Sequence, residues 1–381
     1  MHSSAAACGF DGPAIMTARD QDAAAIMKCL SVALVHWHRR IDLRFVARIS
    51  RATLSPTSCV WLGWWLLSPA LLAQQPEAPD AKPIASELSG DAEIRGVIDG
   101  EEAVLTTTSR LAGAVHSIRW KGQEFIDSAD HGRQLQSALS LDAMNDQPFW
   151  AECFNPTEAG SRLDGAGERS TSRLLGLKAS ERELMTSTQM AFWLAPGERS
   201  DGRLALNRES LSGFLLHKRI RWNAYENDHI LEFANTFEFP ENESHRFAQF
   251  EVVTGYMPAE FNTFWVFDAQ SQSLQRLDDG PGEQPLPVVL ATADGRFAMG
   301  AVLVAGPDLI SGRPGYGRFR FREEGVVKWN IAQRYRESPA IRERRFSFRS
   351  LIAIGSLEEV RRAMVEIHSG ELRRKDAPSR P

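Results

Sequence analysis

From Ile94 onward, apolar and polar residues alternate with a period of two, in short runs that stop at glycine-, proline- and asparagine-containing turns. AVLTTTS (Ala103 to Ser109), AVHSIRW (Ala114 to Trp120) and EFIDS (Glu124 to Ser128) are the first, set apart by Gly113 and by Lys121-Gly122. GFLLHKRIRW, HILEFANTFEFP, RFAQFEVVTGYM, TFWVFD, PLPVVLATA, RFAMGAVLVAG, VVKWNIAQRYR and RFSFRSLIAIG continue the pattern. This periodicity predicts pleated strands with one buried face each, so the chain is expected to be all-β. Only SLEEVRRAMVEIHSG changes period: Leu357, Val360, Met364 and Ile367 fall on one helical face. Ser356 caps that helix, Glu359 completes a capping box, and Gly370 is expected to end it.

Roughly a dozen or more strands exceed the 7 to 9 of an immunoglobulin-type sandwich, so a larger two-sheet sandwich is expected. No repeat of fixed period appears, which argues against a propeller. The expected single domain runs from residue 94 to 381, preceded by a Pro- and Ala-rich linker over 74–93.

The first 73 residues read differently. Arg39, Arg40, Arg44, Arg48 and Arg51 precede the apolar run CVWLGWWLLSPALLA, and the chain turns polar at Gln74. That order predicts an export signal cut near Ala73, and hence a secreted or periplasmic protein. The run is shorter than the ~20 residues of a spanning helix and is broken by Pro69, so no stable membrane span is expected after processing. Residues 1–45 show no sustained periodicity, and a start codon placed too far upstream explains them most plainly.

Four cysteines are present, and Cys8, Cys29 and Cys59 precede the expected cut. Cys153 is then left without an intramolecular partner, and neither cysteine nor histidine spacing predicts a metal site or another cofactor. The net charge of -5 argues against a nucleic-acid partner.

The segment VLTTTSRLAGAVHSIRWKGQEFIDSADHGRQLQ, with its Arg119 to Phe125 hairpin, resembles the opening of a galactose mutarotase-like domain. That resemblance implies a large antiparallel β-supersandwich with a short C-terminal helix, and a saccharide ligand on its concave sheet. The His-containing signature of aldose epimerases is not found in its usual surroundings, so the resemblance implies sugar handling without implying mutarotation.

Three clusters carry candidate chemistry. In HGRQLQSALSLDAMNDQPFWAECFNPTEAG, planar groups suited to adjacent sugar hydroxyls stand beside aromatic rings. Arg133, Gln134, Gln136, Trp150 and Asn155 are the expected substrate contacts there, and His131 and Glu152 the expected catalytic groups. The second cluster, HRFAQFEVVTGYM, adds Glu251 as a catalytic candidate and Gln249 as a contact, both on one strand face. The third, KWNIAQRYRES, contributes Arg334, suited to a uronate carboxylate.

These residues fit an enzyme acting on an extracellular saccharide. A lyase would use Tyr or His as base with Arg or Asn on the carboxylate, whereas a hydrolase would place Glu152 and Glu251 about the bond. An epimerase type, a non-catalytic carbohydrate-binding protein and a structural envelope protein are the other expectations.

Overall fold

A computed structural model describes residues 88–144 and 148–376; the expected signal segment and most of the linker lie outside the described residues. Strands follow one another as the alternation predicts. The first group comprises β1 (Ala92–Ile98), β2 (Glu101–Thr107), β3 (Val115–Trp120), β4 (Gln123–Glu124), β5 (Leu135–Leu141), β6 (Pro156–Thr157) and β7 (Arg173–Ala179). Then come β8 (Glu183–Phe192), β9 (Arg199–Ser200), β10 (Arg203–Leu204), β11 (Leu211–Arg221), β12 (Ile230–Glu238), β13 (Phe247–Pro258) and β14 (Thr263–Asp268). The last are β15 (Ser273–Arg276), β16 (Gly282–Gln284), β17 (Val288–Ala291), β18 (Ala298–Ala305), β19 (Gly315–Phe321), β20 (Val326–Arg336) and β21 (Arg345–Gly355), followed by helix α1 (Leu357–Asp376).

Antiparallel pairing arranges the strands in two long runs. One is β1-β2-β3-β5-β13-β20-β19-β16. The other is β7-β8-β11-β12-β21-β18-β17-β14-β15. β6 pairs with both β5 and β8 and joins them. Phe250 of β13 stands with its ring 5.3 Å from that of Phe237 on β12, and 4.8 and 5.1 Å from Phe346 and Phe348 on β21. The two runs therefore bury one shared aromatic core, as the two-sheet reading expected.

Two elements depart from the sequence pattern. EFIDS pairs only at Gln123–Glu124, because the Glu124 carboxylate turns back on its own chain. Its Oε1 accepts from the backbone N–H groups of Ile118, Phe125 and Ile126 at 3.0 to 3.1 Å, filling the role of a strand neighbour. Helix α1 has the expected capping box, Ser356 N to Glu359 Oε2 at 2.9 Å and Glu359 N to Ser356 Oγ at 3.3 Å. Gly370 does not end it, however. A Cβ at Gly370 would lie 3.2 Å from the Tyr225 ring, and Tyr225 donates to Glu371 one residue on. The glycine makes room for a packed tyrosine, and the helix runs to Asp376.

In β11, Phe214, Leu216, Lys218, Ile220 and Trp222 share the buried face, which places a lysine in an apolar row. Lys218 and Glu158 form an ion pair with both side chains fully buried. Lys218 Nζ also donates to the Gly113 carbonyl at 2.8 Å, and Glu158 Oε2 accepts from Ser137 N at 3.1 Å. Ser137 Oγ in turn donates to the Val252 carbonyl at 2.8 Å, joined there by Asn235 Nδ2 at 2.6 Å.

Val252 lies where β13 breaks register against both neighbours, between Glu251 and Val253 facing β20 and between Glu251 and Thr254 facing β5. A bulge of one residue reverses the faces beyond it. Tyr256, which strict alternation would place with Phe250 in the core, pairs with Lys328 and shares the face of Glu251.

Truncating one partner of a buried ion pair leaves an uncompensated charge. Lys218→Met is therefore expected to lower the unfolding free energy by about 3 to 5 kcal/mol. Lys218→Met with Glu158→Met should lose clearly less than the two single variants summed. Urea unfolding of the three proteins measures both.

Candidate functional site

Facing away from the aromatic core, neighbouring residues of β13 and β20 build a polar floor. Glu251 lies at its centre. Lys328 Nζ donates to both Glu251 oxygens at 3.3 Å, and Asn330 Nδ2 donates to Oε1 at 3.1 Å. Next along the strands, Arg334 donates from Nε to Gln249 Oε1 at 2.9 Å, and its two terminal nitrogens grip Glu283 of β16 at 2.8 and 2.9 Å. Gly315 and Gly317 of β19 make the room for this: a Cβ on Gly315 would run into the Glu283 carboxylate, and one on Gly317 into the Asn330 amide.

Three rings border the charges. Tyr256 and Phe321 stack at 6.4 Å with planes 19° apart, and Phe319 and Phe321 at 6.2 Å with planes 4° apart. Lys328 Nζ is 5.0 Å from the Tyr256 ring centre and 5.5 Å from that of Phe319. Such a position binds the ammonium by cation–π attraction as well as by charge. Lys328 is buried, which works against its charge, but Glu251 and Tyr256 outweigh that and push its pKa above the ordinary value. Burial raises the Tyr256 hydroxyl, with Lys328 opposing.

Glu152, on the segment between β5 and β6, is held by Ser200 and feels the charges of this floor. Burial pushes its carboxyl above the usual Glu range, against a hydrogen bond from Ser200 Oγ at 2.5 Å. The charges of Lys328 and Glu251 both act on it, Lys328 lowering and Glu251 raising. Trp150 Nε1 donates to the same Ser200 oxygen at 3.4 Å, and the Arg203 guanidinium lies 4.5 Å from the Trp150 ring centre. The two carboxyl groups have unlike surroundings, one desolvated beside a serine hydroxyl and one gripped by an ammonium.

The expected site residues divide in two. Glu251, Gln249 and Arg334 lie on the floor, while Glu152 and Trp150 meet at Ser200 of β9. His131, Gln134, Gln136 and Asn155 are instead held by backbone. His131 is buried with Nδ1 2.7 Å from the Gly165 carbonyl and Nε2 2.8 Å from that of Arg110, so neither nitrogen is open to a substrate proton. Gln134 is fully buried and donates to Ser128 Oγ and the Asp130 carbonyl. Gln136 donates to the Gly132 carbonyl at 3.2 Å and accepts from Ala159 N at 3.1 Å. Asn155 donates to the Leu139 carbonyl, and Arg133 to Asp130 Oδ2 at 3.1 Å and the Glu324 carbonyl at 3.3 Å.

Sequence reasoning passed over Lys328, Glu283, Ser200, Phe319 and Phe321. Lys328 carried a readable signal, since it leads the polar face of β20 two residues before Asn330. Phe319 and Phe321 come from the neighbouring strand β19 and Glu283 from β16 paired to it, while Ser200 meets Glu152 from the separate β9–β10 hairpin. Elsewhere, a cavity of about 700 Å3 opens at the N-terminus of α1, lined by Gln272, Asp294, Ser356 and Arg361 among others. None of the floor residues lines it.

Several solved structures resemble this arrangement of strands at low similarity. Slr1438 from Synechocystis sp. aligns at 10% identity over 70% of this chain and 96% of its own, with a TM-score of 0.37. A galactose mutarotase-like protein from Lactobacillus casei aligns at 10% identity over 69% of this chain and 100% of its own, with a TM-score of 0.36. The alpha-galactosidase from Lactobacillus brevis aligns at 10% identity over 70% of this chain and 40% of its own, with a TM-score of 0.35. The family expected from the opening strands is thus among the structures found. No protein-family model and no curated protein matches the chain.

Two substitutions separate scaffold from floor. Gln136→Ala orphans the buried Ala159 N–H and is expected to lower stability by about 1 to 3 kcal/mol, read by urea unfolding. Glu152 carries the opposite sign. Its folded pKa is raised, so its contribution to stability is present below the ordinary Glu value of about 4.3 and is lost as pH rises through the folded value. Glu152→Gln should therefore flatten the decline of melting temperature with rising pH over that window and be at least as stable as the parent at neutral pH. Melting curves collected across pH check this.

Proposed function

We propose that the protein is an enzyme that binds a neutral saccharide on the outer face of β13 and β20 and acts on it by acid–base chemistry. Glu152 is the general acid and Glu251 the carboxylate that receives or steadies charge. The observation that carries this reading is the contrast between the two groups: burial raises the Glu152 carboxyl above its ordinary range, while Lys328 and Asn330 hold Glu251. Two carboxyl groups in unlike surroundings are the working parts of glycoside hydrolysis and of ring-opening at an anomeric carbon. Tyr256, Phe319 and Phe321 form a buried apolar cluster beside these charges.

A neutral sugar is favoured over a uronate by the pairing of the cations. Arg334 is committed to Glu283 on both terminal nitrogens, and Lys328 to both oxygens of Glu251. A uronate would need at least one of them uncommitted to neutralise its carboxylate. A hydroxyl-rich ligand needs only the remaining donors and acceptors, among them the Gln249 amide nitrogen, which is buried without a protein acceptor.

Export belongs to the same proposal, on the strength of the Arg-rich approach and the apolar run before Ala73. Intact-mass measurement of the exported protein tests it, and a mature chain still carrying Trp61 to Leu67 would refute it.

For the activity, incubation with a panel of neutral and uronate-containing saccharides is expected to release reducing ends or change anomeric composition with neutral members only. Glu152→Gln and Glu251→Gln should each lower turnover by about 100-fold or more. Saccharide binding with no turnover by the parent protein would leave a carbohydrate-binding protein. Unsaturated-uronate absorbance would mean a lyase.

A further inference from the structure

Asp99, His229 and Glu359 meet on the surface of the domain, each from a different element. Asp99 is exposed at the β1–β2 turn, in a left-handed conformation with φ of 51°. His229 immediately precedes β12, and Glu359 lies in the first turn of α1. One ligating atom from each lies within 4.8 Å of the other two.

The hydrogen bonds fix how the histidine is presented. Its Nδ1 is 2.8 Å from the Ile354 carbonyl oxygen, which can only accept, so Nδ1 carries a hydrogen. Nε2 then faces Asp99 Oδ1 at 3.1 Å, with its lone pair directed at an anionic oxygen in the neutral ring. Glu359 adds a second carboxylate, one of whose oxygens accepts from Ser356 N at 2.9 Å. Lys121 is the neighbouring cation, 3.7 Å from the other Asp99 oxygen, and it also lies over the Trp120 ring at 4.3 Å. With the ring neutral, three acceptors converge on one point, and among the described residues Lys121 is the ammonium at its rim.

We propose that this point binds a divalent transition metal of the zinc class through His229 Nε2 and one oxygen each of Asp99 and Glu359. The donor set is one imidazole and two carboxylates, which suits zinc, and the exposure of Asp99 leaves a further position to solvent. The Ile354 carbonyl holds the ring by its far nitrogen, the outer-shell arrangement usual for a ligating histidine. Zinc bonds of about 2.0 to 2.2 Å would bring the three donors somewhat closer than they stand now. The bound ion would tie the β1–β2 turn to the start of β12 and the first turn of α1. This site shares no residue with the saccharide floor, so the proposal stands whatever that floor does.

Purified full-chain protein is stripped with a chelator and titrated with zinc by calorimetry and melting temperature, then with cobalt(II) by visible absorption. The expected result is a melting temperature that rises with zinc, and cobalt bands characteristic of low-coordinate nitrogen and oxygen ligation. Asp99→Asn keeps the turn, because asparagine tolerates positive φ, and His229→Gln is the second variant. Each is expected to weaken zinc binding by at least about tenfold, with Asp99→Asn leaving the metal-free melting temperature unchanged. A parent protein with no zinc-dependent shift would overturn the site. So would a zinc affinity that both variants retain, because the ion would then be held by other residues.

Discussion

The carbonyl of Val252 has left the β ladder, and much of the interior is arranged around that one group. Ser137 Oγ and Asn235 Nδ2 satisfy it from β5 and β12, and the Lys218–Glu158 pair fixes Ser137 through its N–H. An ion pair this deep is a doubtful source of stability, because desolvating both charges offsets most of their attraction. Its effect here is positional. It holds a bulge in β13, and the bulge turns Tyr256 from the core to the face where Glu251 and Lys328 stand.

The same face shows how a sheet makes unlike groups from like ones. Glu152 and Glu251 are chemically identical, yet one is desolvated beside a single hydroxyl and the other receives an ammonium and an amide. Burial favours the neutral form of the first, whereas the second is held in place by its paired ammonium and amide. The cations are matched in turn, so the floor presents hydrogen-bonding edges and aromatic surface in place of net positive charge.

Alternation by two marked most strands because each has one face in the aromatic core, and that constraint is local to the strand. Helix α1 was legible for a similar reason: its cap, its apolar row and its first-turn acids are all within a few residues. Its end was not, since Gly370 answers to Tyr225 across the fold. EFIDS likewise had the composition of a strand, and lost its ladder to a single carboxylate hydrogen-bonding its own backbone.

What the sequence determined by itself was the β class, the two-sheet architecture, the capped helix, and the strand faces carrying Gln249, Glu251 and Arg334. Those features depend on side-chain period and turn chemistry, which act over short stretches of chain. The tertiary structure decided which polar residues are tied to the backbone and which gather on the β13–β20 face. Gln136 and His131 have the same donors and acceptors as a sugar-binding group, and only the backbone groups facing them show that they are already satisfied. It alone decided that Tyr256 joins Glu251, because a one-residue bulge reverses a face without leaving a mark in composition. It alone, too, brought Asp99 and His229 together across 130 residues, a meeting that no local spacing encodes.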